Sequence, residues 1–330
     1  MQYFKGSLLT SILGLLCAYL LGGGQALFIV ALLSILEVSL SFDNAIVNAS
    51  AMKNMSLKWR QRFLTWGMLI AVLGMRIIFP ILIVSIVSHL SPLAALSLAM
   101  HQPETYALTL ASAHVVIMGF GGTFLFMVGL HFFLYQNENY WIKGIEHYIS
   151  RLGQYKIASL VITTCIVTAV YFCVPAYEQV HFIIASLTGL LTFQVIHLLN
   201  QYLESKQVSS AGAQIGQSGL SLFIYLELLD ASFSFDGVIG AFAISSDLFI
   251  IAIGLGIGAM FVRSLTILFV EKEVLAQYCY LEHGAFYAII MLALMMFVQT
   301  WTHVPEVVTG SLGALFIFTA LYHSIRIKRA

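Results

Sequence analysis

Long apolar runs recur from one end of this sequence to the other. A helix that crosses a bilayer needs about 20 predominantly apolar residues. The sequence supplies ten candidates: 7–22, 26–49, 66–88, 113–135, 157–173, 181–200, 219–245, 248–270, 283–300 and 304–325. Within lipid every backbone N–H and C=O must find its partner internally, which favours helices for runs of this length. The chain is 60% apolar and 9% charged, with mean hydropathy +0.94, whereas a soluble domain carries roughly 25% charged residues. The expected fold is all-α: a polytopic transmembrane helical bundle of nine to ten spans. The first and fifth runs are short. Residues 91–112 are only half apolar and hold Pro92 and Pro103, which fits an interfacial or re-entrant piece.

The few positive charges orient the spans. Lys5 precedes the first run. Lys53, Lys58, Arg60 and Arg62 follow the second; Lys143, Arg151 and Lys156 follow the fourth; Lys206 follows the sixth; Lys272 follows the eighth; Arg326, Lys328 and Arg329 follow the tenth. With ten spans all of these fall on one side, and the opposite loops near 89–112, 174–180, 245–247 and 301–303 hold no Lys or Arg. Lys and Arg favour the cytoplasmic side, so both termini are expected in the cytoplasm of a cell whose inner membrane holds the protein. The opening Lys5, apolar run and GGGQA also resemble a signal peptide; an uncleaved first helix is the expectation. Cys17, Cys165, Cys173 and Cys279 show no metal-type spacing and are read as small buried apolar residues.

Arg76, Arg263 and a set of acids lie inside the spans. ILEVSLSFDNAIVNA (35–49) and LLDASFSFDGVIGAFAI (228–244) carry the same pattern. Adding 193 to one numbering aligns Glu37 with Asp230, Ser39 with Ser232, Ser41 with Ser234 and Asp43 with Asp236. Arg76 lies in the span after the first copy and Arg263 in the span after the second, each nine residues after a glycine, Gly67 or Gly254. Residues 114–133 resemble 306–325, aligning His114 with Glu306, Gly121 with Gly313 and His131 with His323. The two acidic copies fall in the second and seventh spans. An odd number of spans apart, they run in opposite directions, as in the inverted repeats of secondary transporters. The expected organisation is a first repeat over 1–150, connecting spans and a loop over 151–215, and a second repeat over 216–330.

A carboxylate at a helix centre costs on the order of 3 kcal/mol by insertion scales, so these acids need a partner, a proton or a cation. One reading is structural: Arg76 pairs with Asp43 or Glu37, and Arg263 with Asp236 or Asp230. The other is a cation site. Glu37, Asp43, Asn44, Asp230 and Asp236 offer carboxylate and amide oxygens, with Ser39, Ser41, Ser232, Ser234 and Glu227 in support. Such oxygens suit Mn²⁺, Mg²⁺ or Ca²⁺. On an ideal helix Glu37, Ser41 and Asn44 share a face, and Asp43 points about 120° away. Either the helix opens locally, with Asp236-Gly237 the favoured break, or Asp43 and Asp236 face another partner. His131 and His323 read as interfacial, with proton handling the alternative. Glu282-His283 reads as interfacial or supporting, Glu306 as favouring a helix N-terminus, and Trp59, Trp66, Trp141 and Trp301 as interface anchors.

The two acidic stretches together resemble the TerC family of integral membrane proteins, within the LysE-like exporters. FLTWGMLIAVLGMRIIFP (63–80), LGIGAMFVRSLT (255–266), YLEHGA (280–285) and HVPEVVTG (303–310) resemble an uncharacterised bacterial branch of it. The resemblance implies an ion-translocating protein, in a family linked to tellurite resistance and to manganese or calcium handling, with efflux the direction assigned to some members. It carries over onto Glu37, Asp43, Asn44, Asp230 and Asp236. Gly237 stands opposite Asn44, so an amide ligand does not transfer to the second copy.

The expected function is therefore secondary transport of a divalent cation, Mn²⁺ first and Ca²⁺ second, outward from the cytoplasm, with protons as counter-ion. No permanently bound cofactor, no catalytic residue and no nucleic-acid partner is expected. The GxxxxGK[ST] loop of ATP-driven systems is absent, as are HExxH and a GxGD-like stretch, which argues against an ATPase and against an intramembrane protease. The alternative is a membrane scaffold whose buried acids form structural ion pairs.

Overall fold

The computed structural model describes residues 3–53, 55–67, 69–135, 140–155, 157–208 and 219–329; the side chains of 203–208, 235, 236, 239, 243, 306, 307 and 329 lie outside the description. The regular structure of the described residues is all helix, with no strand among them. In order the helices are α1 (Lys5–Leu40), α2 (Phe42–Lys53), α3 (Leu57–Val87), α4 (Pro92–His101), α5 (Pro103–Ser112), α6 (His114–Tyr135) and α7 (Lys143–Leu152). There follow α8 (Ala158–Tyr171), α9 (Gln179–Val208), α10 (Gly219–Ile244), α11 (Leu248–Glu271), α12 (Leu281–Gln299) and α13 (Glu306–Arg329). The protein is a polytopic helical bundle.

Among the described residues seven helices are long and apolar enough to cross a membrane: α1, α3, α6, α9, α11, α12 and α13. The difference from ten has three physical sources. α1 holds two of the expected spans. It is interrupted at Gly22 and Gly23, the latter at φ 65, ψ −151, a region essentially reserved for glycine. Before the interruption α1 runs against α11: Ser7 Oγ lies 3.2 Å from Ser264 Oγ, and Gly14 packs on Ile257. After it the two run together: Ser34 Oγ donates to the Gly254 carbonyl at 3.0 Å, and Glu37 packs on Gly258. The GGGQA stretch is therefore a hairpin between antiparallel halves. α10 has 26 residues, but Glu227, Asp230 and Asp236 interrupt its apolar character. α8 has 14 residues, about 21 Å of helix against a hydrocarbon core of about 30 Å.

The chain forms two compact units, one of residues 1–114 with 222–272, the other of 115–221 with 273–330. Each draws on both expected repeats. In the first unit Leu33, Ile81, Val84, Val238, Ala241, Ile251 and Leu255 build a core. Residues 91–112 join it from inside. α4 and α5 each follow a proline that opens the first turn, and Ala95, Ala99, Tyr106 and Leu110 are buried among those aliphatics. Two ten-residue helices cover only about 15 Å each, a re-entrant length rather than a span. α11 starts on Asp247, whose Oδ1 accepts from the backbone N–H of Phe249 at 2.8 Å and Ile250 at 3.2 Å, an N-cap.

The second unit is an aromatic core. Phe132 stacks on Phe286 at 3.9 Å, and Phe297 meets Phe126 and Phe182. The cysteines correct the sequence reading: all four are free and exposed. A thiol is apolar enough to face lipid as readily as a core.

Candidate functional site

The first unit encloses a cavity of ≈ 40 Å³ in which both acidic copies meet. The first copy does not stay one helix. The expected span 26–49 ends at Leu40, Ser41 takes φ −99, ψ 20, and α2 begins at Phe42. The expected break at Asp236-Gly237 is not found; α10 runs unbroken through it. Serine, which can bond its own backbone surroundings, tolerates such an interruption; its hydroxyl here donates to Glu37 Oε1 at 3.2 Å.

Glu37, Ser41, Asn44 and Asn48 line the cavity from this broken helix. Their spacing is i, i+4, i+7 and i+11, one helical face. Asp230 and Ser234 line it from α10, and Gly67, Ala71 and Arg76 from α3. Val262, Arg263 and Thr266 line it from α11. Asp230 and Ser234 therefore oppose residues late in α11, while Val238 and Ala241 share a core with its start. α10 is antiparallel to α11, and the second half of α1 is parallel to it. The two acidic helices run in opposite directions.

The charges are distributed unequally. Glu37 is 4% exposed and Arg76 3%, and they form a hydrogen-bonded ion pair; Arg76 also donates to the Ala71 carbonyl. The pairing is the one sequence analysis offered for Glu37. Arg76 lies in a π-helical stretch, Ile70–Ile78, a wide-turned form frequent at functional sites. Asp230 forms no ion pair with a described arginine. The amides of Asn48 and Asn44 both turn to it, with Asn48 Nδ2 donating to Oδ1 at 2.9 Å. Arg263 forms no ion pair with a described carboxylate, and its Nε is buried without a hydrogen bond among the described residues. The side chain of Asp236, its other expected partner, lies outside the description.

Backbone fits closely around Glu37. A Cβ on Gly258 would collide with Glu37 Cβ and Cγ, and one on Gly237 would stand 3.2 Å from Glu37 Oε2. The glycine that replaces an amide in the second copy thus makes room for the carboxylate of the first.

Several oxygens around the site are uncommitted. Asn44 Oδ1, Asn48 Oδ1 and Ser234 Oγ are buried with no hydrogen-bond partner among the described residues. So are both oxygens of Glu227, which packs on Gly67 beside the cavity. Buried polar atoms are nearly always paired, and exceptions point to strain, function or an absent ligand.

Some expected site residues are elsewhere. Asp43 is buried but does not line the cavity; Oδ1 accepts from the Asn44 backbone N–H at 2.9 Å. Ser39 is exposed and bonded to the Ile35 carbonyl; Ser232 bonds the Leu228 carbonyl. Sequence reasoning missed Asn48, although the i, i+4, i+7, i+11 face pointed to it. Among the described residues no three His, Cys, Asp or Glu side chains are grouped to hold a metal ion.

Residues 42–330 match the family described as "Protein of unknown function (DUF475)". The chain belongs to this family. The match begins just after the break, so it takes in Asn44, Asn48, Arg76, Asp230 and Arg263 and leaves out Glu37. No curated protein and no solved structure matches the chain.

Outside the site, His131 sits against His197 and Tyr135 in the second unit. His323 Nδ1 accepts from Trp141 Nε1 at 2.8 Å. His283 Nε2 lies 3.7 Å from Glu146. Trp66 and Trp301 are exposed, as interface anchors would be; the side chain of Glu306 lies outside the description.

Proposed function

We propose that the protein is a secondary transporter that exports a divalent cation, Mn²⁺ first and Ca²⁺ second, and works as a carrier rather than an enzyme, with no resident cofactor. One observation carries this reading. Buried, uncommitted amide and hydroxyl oxygens of Asn44, Asn48 and Ser234 surround a small cavity that also holds Glu37 and Asp230. Hard cations take such oxygens, and a transported ion needs a site it can leave. The TerC resemblance of the two acidic stretches points the same way. The opposite directions of the acidic helices support an inverted repeat, and with it alternating access around a site at the repeat interface. The one-sided Lys and Arg pattern supports an inner-membrane protein with cytoplasmic termini.

In the mechanism we propose, Arg76 and the cation compete for Glu37. With the site empty, Arg76 neutralises Glu37 and holds α3 against α1. A cation entering beside Asp230 takes the free amide and hydroxyl oxygens and draws Glu37 from Arg76. The released guanidinium and the shifted carboxylate bias the halves toward the opposite opening. Protons exchanging at the acids return the carrier. Asp236 completes the set as a proposed ligand.

The test is flux in proteoliposomes under a pH gradient, with Mn²⁺, Ca²⁺, Mg²⁺ and Zn²⁺ offered singly to wild type, Asp230→Asn and Glu37→Gln. Mn²⁺ flux that vanishes in both variants at unchanged protein level is the expected result. No flux of any ion in wild type overturns the reading. The Glu37–Arg76 pair favours one competing reading, a scaffold with structural ion pairs. It predicts variants that fail to accumulate and a wild type without flux.

A further inference from the structure

We propose that α7 lies on the membrane surface and binds the anionic headgroups of phospholipids. The observation is an inverted amphipathic helix. α7 contains one acid, Glu146, and it is fully buried. Its carboxylate accepts from the backbone N–H of Trp141 at 2.8 Å and of Ile142 at 3.2 Å. Tyr287 on α12 donates its hydroxyl to Oε1 at 3.1 Å. These bonds fix the rotation of α7 about its axis, with the acid turned in.

The outward face follows from that rotation. Ile145 is 53% exposed, Tyr148 70% and Leu152 45%. At i, i+3 and i+7 they form one stripe, and Tyr155, 66% exposed, extends it past the helix end. Lys143 and Arg151 are exposed on the same helix and ion-pair with no described residue. A helix facing water turns its aliphatics in and its charges out. α7 buries its only carboxylate and exposes aliphatics beside unpaired cations.

Position and charge select the occupant. α7 connects α6, which is long and apolar enough to span the membrane, to the apolar helix α8, so the chain holds it near the bilayer surface. An apolar stripe flanked by Lys and Arg is the composition of helices that lie in the interface, with aliphatics in the acyl boundary and cations at phosphate level. Among the described residues the exposed face offers no acid to repel anionic lipid.

The test uses the full chain, with its four cysteines replaced by serine, in nanodiscs of phosphatidylcholine with or without phosphatidylglycerol. A nitroxide at Tyr148→Cys should be open to oxygen and shielded from a water-soluble nickel chelate; one at His147→Cys, on the charged side, should be open to nickel. The Lys143→Gln/Arg151→Gln double variant should lose phosphatidylglycerol roughly tenfold more readily than wild type on detergent exchange, read by native mass spectrometry, with phosphatidylcholine unchanged. Nickel reaching Tyr148→Cys as freely as His147→Cys overturns the proposal. So does spin–spin broadening that marks a second copy on the stripe, and so does equal phosphatidylglycerol retention. None of these readouts depends on whether the protein transports an ion.

Discussion

The two acidic copies share one sequence pattern, yet their described carboxylates are held differently. In the first, the helix breaks at Ser41 and its carboxylate, Glu37, is held by Arg76. In the second, α10 is continuous and Asp230 is held by amides from the first copy. The duplicated arginines diverge in the same way: Arg76 is committed, whereas Arg263 has no described carboxylate partner. A repeated pattern in sequence thus supplies one locked charge and one held by neutral donors. An ion pair in low dielectric is hard to open, and amide hydrogen bonds exchange more readily. That asymmetry lets one side act as anchor and the other as first contact for an ion.

The comparison breaks hardest at Arg76. Arg76→Ala leaves Glu37 buried without its counter-charge and should destabilise by about 3–5 kcal/mol, seen as a large fall in thermal midpoint in detergent. Glu37→Gln in the same chain should recover much of it; a double variant no better than the single would mean that Arg76 acts through packing. Gly258→Ala comes next. Its Cβ would collide with the Glu37 stem, which costs roughly 1–3 kcal/mol. Gly237→Ala meets only the movable end of the carboxylate and should shift ion preference more than stability, so parallel flux and melting curves separate the two glycines.

Asn48→Ala removes a donor from half-buried Asp230 and should cost about 1–2 kcal/mol. It should also weaken cation flux, whereas the same change at Ser39, exposed and away from the cavity, should leave flux intact. The smallest effect is expected at Arg263. Arg263→Gln should change the thermal midpoint little, within about 1 kcal/mol, while altering flux. A fall as large as that of Arg76→Ala would show that Arg263 is locked too and that the copies are electrostatically alike.

A second contrast sets Glu37 and Asp230 beside Glu146. Two backbone N–H groups and a tyrosine hydroxyl saturate Glu146. Around the cavity, oxygens of Asn44, Asn48 and Ser234 are left over. Glu37 and Glu146 are buried, and Asp230 is half-buried. The completeness of their hydrogen bonding separates a fastening from a site that can still accept something. The sequence shows Glu146 only as one acid in a basic loop; two of its donors are local backbone N–H groups, but the third, Tyr287, comes from a helix more than a hundred residues away.

Local chemistry settled much before any fold was known. Apolar runs in lipid have to satisfy their own backbone, so helices were legible, as was the shared face of Glu37, Ser41 and Asn44. Those properties depend on residues within a few turns of one another. Tertiary structure decided what depends on where helices cross. It placed the break at Ser41 rather than at Gly237, gave Arg76 to Glu37, left Asp43 out of the cavity and brought in Asn48. It also turned 91–112 inward and the cysteines outward. A buried charge takes whichever partner packing delivers within hydrogen-bond reach, and one chain written in order does not specify that distance.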